Sequence, residues 1–140
     1  MFLKNKSIFI VEDNMQNRVV FQMALLHLGA LLDFDRTGAG TVARLKNIPT
    51  LDLIILDLML VNGISGFTLF DEIRTIPQYA KVPIVAVSAM DPTVAVPRLR
   101  QQGFNGFIAK PIDKRSFPKQ ISDILAGIPV WDMGQVIRSN

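Results

Sequence analysis

Three runs of strand length in this chain are almost wholly aliphatic: SIFIV (7–11), LDLIIL (51–56) and VPIVAVS (82–88). A strand with one face in water alternates apolar and polar residues. A strand without that alternation needs cover on both faces, which is the condition of a parallel sheet layered between helices. Two further runs, ALLDF (30–34) and FNGFIAK (104–110), bring the set to five, and segments with helical spacing separate them. Parallel neighbours need crossover connections, so strand and helix must alternate. The chain therefore reads as an α/β domain with a doubly wound five-stranded parallel sheet and helices on both faces.

The helical segments differ in quality. In NMQNRVVFQMALLHLG the apolar Val19, Val20, Met23 and Leu26 recur at helical spacing, and Gly29 supplies the stop. A short second helix runs roughly from Thr41 to Asn47, with Ala43 and Leu45 inward and Pro49 beyond it. GFTLFDEIRTIP gives a third, with Phe67, Phe70 and Ile73 on one face and Pro77 at the exit. The fourth has Asp91 as cap and Pro92 as initiator, but Pro97 falls where a proline removes a hydrogen bond and clashes with the preceding turn. A kink, or a later start near Pro97, is expected. The last helix covers about Lys114 to Ala126, with Phe117, Ile121, Ile124, Leu125 and Ile128 along one stripe and Pro118 near its start.

Composition narrows the classes. With 140 residues, 49% of them hydrophobic and 19% charged, the chain fits one packed domain, residues 1–126, followed by a tail, 127–140, that lacks a full helical or strand pattern. That tail either caps the domain or is mobile, and Trp131 in it reads as cover for the domain end ahead of a docking handle. The absence of cysteine excludes disulfides and thiolate metal sites. The apolar run near the N-terminus is too short for a signal peptide or a membrane span, so a cytoplasmic protein is expected. The net charge is +3, with Lys and Arg scattered rather than massed, which argues against a nucleic-acid partner.

The polar residues fall at the ends of the apolar runs. Glu12 and Asp13 follow the first strand, Asp57 follows the third, Ser88 ends the fourth and Lys110 ends the fifth. In open α/β sheets the ligand site lies beyond the carboxyl ends of the strands, where the winding reverses. With the common order 2-1-3-4-5, strands 1 and 3 are neighbours and three carboxylates face one another. Their repulsion raises at least one pKa unless a cation is present. Hard oxygen donors suit Mg²⁺. A positioned Asp can act as a nucleophile and form an aspartyl phosphate, with Lys110 and Ser88 placed to neutralise phosphoryl oxygens. Taken alone, Asp57 reads as a turn cap and Ser88 and Lys110 as ordinary polar residues; their convergence makes the case.

In FIVEDN, LIILDLML, VPIVAVSA and GFIAKPI, in that order and at strand ends, the sequence resembles the receiver domain of two-component response regulators, in its stand-alone, chemotaxis-regulator-like form. The resemblance covers roughly residues 5 to 126 and implies the flavodoxin-like order 2-1-3-4-5. It further implies that Asp57 accepts a phosphoryl group from a phosphohistidine of a sensor histidine kinase or histidine phosphotransfer protein. Mg²⁺ would be held by Asp13, Asp57, the backbone carbonyl of Met59 and, through water, Glu12. Ser88 and Phe107 would be the switch residues and Lys110 would pair with the phosphoryl group, followed by a peptide bond to Pro111 that can be cis.

By the same resemblance the protein is a signalling domain that assists its own phosphorylation and dephosphorylation, rather than an enzyme. It acts on a downstream target through helix 4, strand 5 and helix 5, as a monomer or a phosphorylation-dependent dimer. That face is basic, with Arg98, Arg100, Lys110, Lys114, Arg115 and Lys119 against Asp91 and Asp113, which suits an acidic partner surface. Two departures stand out: Leu60 and Val61 replace the family's usual Met-Pro, and VNGISG is one residue longer than usual before Gly66. They keep open a second reading, a pseudo-receiver that binds proteins without being phosphorylated.

Overall fold

The computed structural model describes residues 3–134; residues 135–140 of the tail, and Met1 and Phe2, lie outside the described residues. Six strands run in the order β2-β1-β3-β4-β5-β6: β1 (Ser7–Val11), β2 (Leu31–Asp35), β3 (Leu53–Leu56), β4 (Ile84–Ser88), β5 (Gly106–Ala109) and β6 (Val130–Trp131). All pairings are parallel. The helices are α1 (Met15–Leu25), α2 (Thr41–Lys46), α3 (Gly66–Arg74), α4 (Pro92–Gln102) and α5 (Phe117–Leu125). This is the flavodoxin-like α/β fold with the expected order and one strand more than the five expected. The sixth is two residues long, too short to leave a pattern in sequence; its strand identity comes from pairing with β5.

Side-chain alternation along the strands sorts the core into two layers. Phe9, Val11, Ile54, Leu56, Ile84, Ala86 and Phe107 join residues of α2, α3 and α4 on one face. Ile8, Ile10, Leu53, Ile55, Val85, Val87 and Ile108 join residues of α1 and α5 on the other. Every residue of β3 and β4 is buried, as continuous aliphatic runs require.

Helix orientations partly depart from the sequence reading. In α1 the buried residues are Phe21, Ala24 and Leu25, while Met15, Val19, Met23 and, at the C-cap, Leu26 are exposed. Apolar residues occupy two faces of this helix, and periodicity alone does not say which one meets the sheet. In α2, Leu45 is buried but Ala43 is exposed. The stripe of α5 holds for Phe117, Ile121 and Ile124, whereas Ile128 lies beyond the helix and is exposed. Phe67, Phe70 and Ile73 of α3 are buried as read.

The prolines also resolve. α4 starts at Pro92, its amide ends capped by Asp91, whose side chain accepts from the Thr93 N–H, and it continues through the exposed Pro97 to Gly103. The later start near Pro97 does not occur. Pro118 falls in the first turn of α5, where its missing N–H costs nothing.

The long loop after β3 closes on itself. A 3-10 turn (Val61–Gly63) places Asn62 and Gly63 at φ of 59° and 72°. Met59 then bridges Ser65 in antiparallel fashion, and the Leu60 N–H donates to the Ile64 carbonyl at 3.0 Å. At the base, Gly66 lies so close to the end of β3 that a Cβ there would sit 2.3 Å from the Asp57 carbonyl oxygen. Relief requires moving the backbone that carries Asp57. Gly66→Ala is therefore expected to destabilise the fold by roughly 1–3 kcal/mol, read as a lower urea midpoint at unchanged slope.

Candidate functional site

β1 and β3 are hydrogen-bonded neighbours with Val11 opposite Leu56, so the residues that follow leave the sheet at the same level. The Asp57 N–H donates to the Val11 carbonyl at 3.1 Å, holding the two strand ends together. Glu12 and Asp57 are buried, 1% and 6% exposed, and Asp13 is half-buried. One carboxylate oxygen from each of Glu12, Asp13 and Asp57 lies within 4.8 Å of the others.

Lys110, one residue past β5, reaches back across this cluster. Its Nζ donates to Glu12 Oε1 at 2.7 Å and to Asp57 Oδ2 at 2.9 Å. Its own N–H donates to the Ser88 carbonyl at 3.0 Å, which fixes the root of the side chain on β4, and the Lys110–Pro111 peptide is cis. The other oxygen of Asp57, Oδ1, accepts the Met59 N–H at 3.2 Å. Glu12 Oε2 accepts the Asn14 N–H at 3.2 Å, and Asn14 caps α1 by accepting the Asn17 N–H.

The electrostatics follow from burial and charge count. Burial is the largest influence on Glu12 and pushes its carboxyl above the ordinary range; the neighbouring Asp57 charge acts the same way, while Lys110 and the Asn14 N–H oppose them. For Lys110, burial alone would lower the ammonium pKa, but hydrogen bonds and charge from Glu12 and Asp57 outweigh it and hold the pKa above its usual value. Three carboxylates facing one ammonium leave two negative charges when all are ionised. The donors are hard oxygens and the deficit is that of one divalent cation, so this side-chain set fits Mg²⁺.

The structure thus brings Glu12, Asp13, Asp57 and Lys110 together. Ser88 is fully buried at the end of β4, and its hydroxyl accepts the Met90 N–H at 3.3 Å. Phe107 is buried in the layer under α4. The Met59 side chain is exposed, with its N–H toward Asp57. Sequence reasoning missed Arg18, whose Nη1 donates to the Glu12 carbonyl at 3.0 Å and ties α1 to the site. An arginine one turn into a helix carries no signal of such a contact. It also missed Gly66 as a support of Asp57, since close approach of two backbones is visible only in three dimensions.

A family model described as the response regulator receiver domain matches residues 8–122. The chain is 31% identical over 122 residues to the polar-differentiation response regulator DivK of Brucella ovis, covering 86% of this chain and 96% of DivK. It is 32% identical over 124 residues to the peroxide stress-activated histidine kinase mak1 of Schizosaccharomyces pombe; that match takes in 85% of this chain but 8% of the kinase. Among solved structures, the receiver domain of the sensor histidine kinase PA1611 from Pseudomonas aeruginosa, described with a magnesium ion coordinated in its active site cleft, matches with a TM-score of 0.75 and 27% identity. It covers 88% of this chain and 98% of that one.

A raised carboxyl pKa means that the folded state favours protonated Glu12. Its contribution to stability is fully present below the ordinary value of 4.5 and is lost as pH rises through the higher folded-state value. In the presence of EDTA, Glu12→Gln should therefore gain stability relative to the native chain as pH is raised from below 4.5 toward neutrality. Paired urea titrations across that range test this, and a constant difference would refute it.

Proposed function

Because the chain belongs to the response regulator receiver domain family, we propose that it works as a two-component response regulator, taking a phosphoryl group from a phosphohistidine onto Asp57 in a Mg²⁺-dependent reaction. The observation that carries this reading is the Lys110 ammonium bound at once to Asp57 and Glu12 beside Asp13. An Asp57 carboxylate oxygen attacks phosphorus, the N–P bond of the donor breaks, and its electron pair leaves with the imidazole nitrogen. Glu12, Asp13, Asp57 and the Met59 carbonyl would hold Mg²⁺, which supplies charge neutralisation for the phosphoryl oxygens.

Lys110 positions Asp57 before transfer and pairs with the phosphoryl group after it. The buried Ser88 hydroxyl leaves Met90 to donate to a phosphoryl oxygen, and Phe107 follows it as the second switch residue. The donor is a sensor histidine kinase or histidine phosphotransfer protein. A docking surface of suitable chemistry borders the site: α1 begins three residues after Glu12 and carries Met15, Val19, Met23 and Leu26 exposed along one side. The domain would act in the cytoplasm and pass its signal to a downstream protein through α4, β5 and α5, as a monomer or a phosphorylation-dependent dimer; the boundary expected at residue 126 gives way to a sheet that takes in Val130 and Trp131. No helix among the described residues is long and apolar enough to cross a membrane.

Acetyl phosphate with Mg²⁺ should add one phosphoryl group to the native chain and none to Asp57→Asn, by intact mass, and chelation should abolish the adduct. A native chain that folds and binds Mg²⁺ yet never gains the mass would be a binding module that works without phosphorylation. Val19→Asp should slow transfer from a phosphorylated histidine phosphotransfer protein by about tenfold or more while leaving acetyl phosphate labelling unchanged. Equal slowing with both donors would remove α1 as the donor's docking face.

A further inference from the structure

The sixth strand lies on the outer edge of β5, between α4 and α5. After α5, Gly127 turns the chain at φ 86° and the Ile128 N–H donates to the Asp123 carbonyl at 2.8 Å. The segment then runs parallel to β5, with Val130 opposite Gly106 and Trp131 opposite Phe107, and the Asp132 N–H donates to the Phe107 carbonyl at 2.9 Å. The Arg100 guanidinium of α4 stands 5.3 Å from the Trp131 ring centre, and Trp131 and Met133 pack against the core layer that holds Phe107. The far end reaches the site's surroundings, since Gly134 lies against Ala109, the neighbour of Lys110, and Pro92, the first residue of α4.

Two features mark this as a built contact that is also weak. A Cβ at Gly106 would meet the Val130 carbonyl oxygen at 2.7 Å, so only glycine lets the segment lie this close. Yet the ladder is two residues long and its residues are only half-buried. A short edge strand of this kind separates from a sheet far more readily than β3 or β4.

We propose that residues 128–134 form an autoinhibitory strap, which covers the β5 edge between α4 and α5 and is unseated when Asp57 carries a phosphoryl group. β5 is the physical link: the Phe107 carbonyl holds the strap, and Lys110, three residues on, holds Asp57. A phosphoryl group on Asp57 would lengthen the side chain that Lys110 already holds at 2.9 Å, so Lys110 has to shift, and with it the strand whose Phe107 carbonyl bonds the strap. By linkage, whatever occupies the Asp57 site and favours the strap-off form must bind more weakly when the strap is locked down. This coupling rests on the phosphorylation of Asp57 proposed above.

The chain has no cysteine, so an engineered pair is the only one able to form; because Gly134 stands at φ 82°, where a side chain is strained, the reduced form of the variant is also compared with the native chain. A Cβ at Gly134 would lie 3.6 Å from the Ala109 Cβ, within the ~3.5–4.5 Å that a disulfide spans. In the full-length Ala109→Cys, Gly134→Cys double variant, beryllofluoride with Mg²⁺, a phosphoryl mimic, should bind the reduced form about tenfold or more tighter than the oxidised form, by calorimetric titration. In the native chain, beryllofluoride should increase iodide quenching of Trp131, the sole tryptophan; Asp57→Asn should show no change. Equal affinity in both redox forms, or a Trp131 signal indifferent to bound beryllofluoride, overturns the strap and leaves the phosphorylation reading standing. Failure of beryllofluoride to bind the native chain at all overturns both.

Discussion

One ammonium group holds this site together. Lys110 reaches from the end of β5, past β4, to carboxylates that follow β1 and β3, so a single side chain ties together three strands of the sheet through charge. Such a bridge is costly to assemble in a buried setting, since each charge gives up water, and it persists because both carboxylates are close enough to repay the loss. The repayment is incomplete. The Glu12 carboxyl stays above its ordinary pKa despite its ion pair, because burial and the Asp57 charge outweigh what Lys110 returns. The parallel order of the sheet creates this imbalance by bringing acidic residues from separate strands to one edge, and the charge left over is that of one divalent cation.

The loop after β3 does not disturb that balance. It turns left-handed at Asn62 and Gly63, while Met59 and Ser65 pair beneath the turn and Gly66 packs on the Asp57 backbone. Sequence variation at the tip is thereby insulated from the carboxylate at the base. The Asp57 backbone is held by the Val11 carbonyl on one side and by the close approach of Gly66 on the other, and the second contact depends on a glycine.

How far the sequence could be read depended on whether a residue's role was local or acquired through a neighbour. The strands β1, β3 and β4 were legible because cover on both faces leaves no polar alternation, and the site residues were legible because they interrupt or end those runs. The inward face of α1 was not, since Val19, Met23 and Leu26 make as good an apolar stripe as Phe21, Ala24 and Leu25. β6 was invisible because nothing in Val130 and Trp131 demands a strand; the demand comes from Gly106, whose missing side chain opens the edge of β5. Pro97 misled in the other direction. A capped start at Asp91 and Pro92 and the burial of Ala95, Val96 and Leu99 keep α4 continuous despite the lost hydrogen bond.

The two unusual surfaces of this domain differ in a way that bears on the direction of signalling. The apolar side of α1 is open, whereas the β5 edge is closed by the chain's own segment. If a donor docks on α1 and the strap leaves only after Asp57 is modified, the two events acquire an order without any further machinery: input requires no rearrangement, and output requires the cost of lifting the strap to be met first. That cost has to be small enough for a phosphoryl group to meet it, which a two-residue ladder satisfies and a longer strand would not. The brevity of β6, which hid it from sequence reasoning, is then the property that suits it to act as a switch.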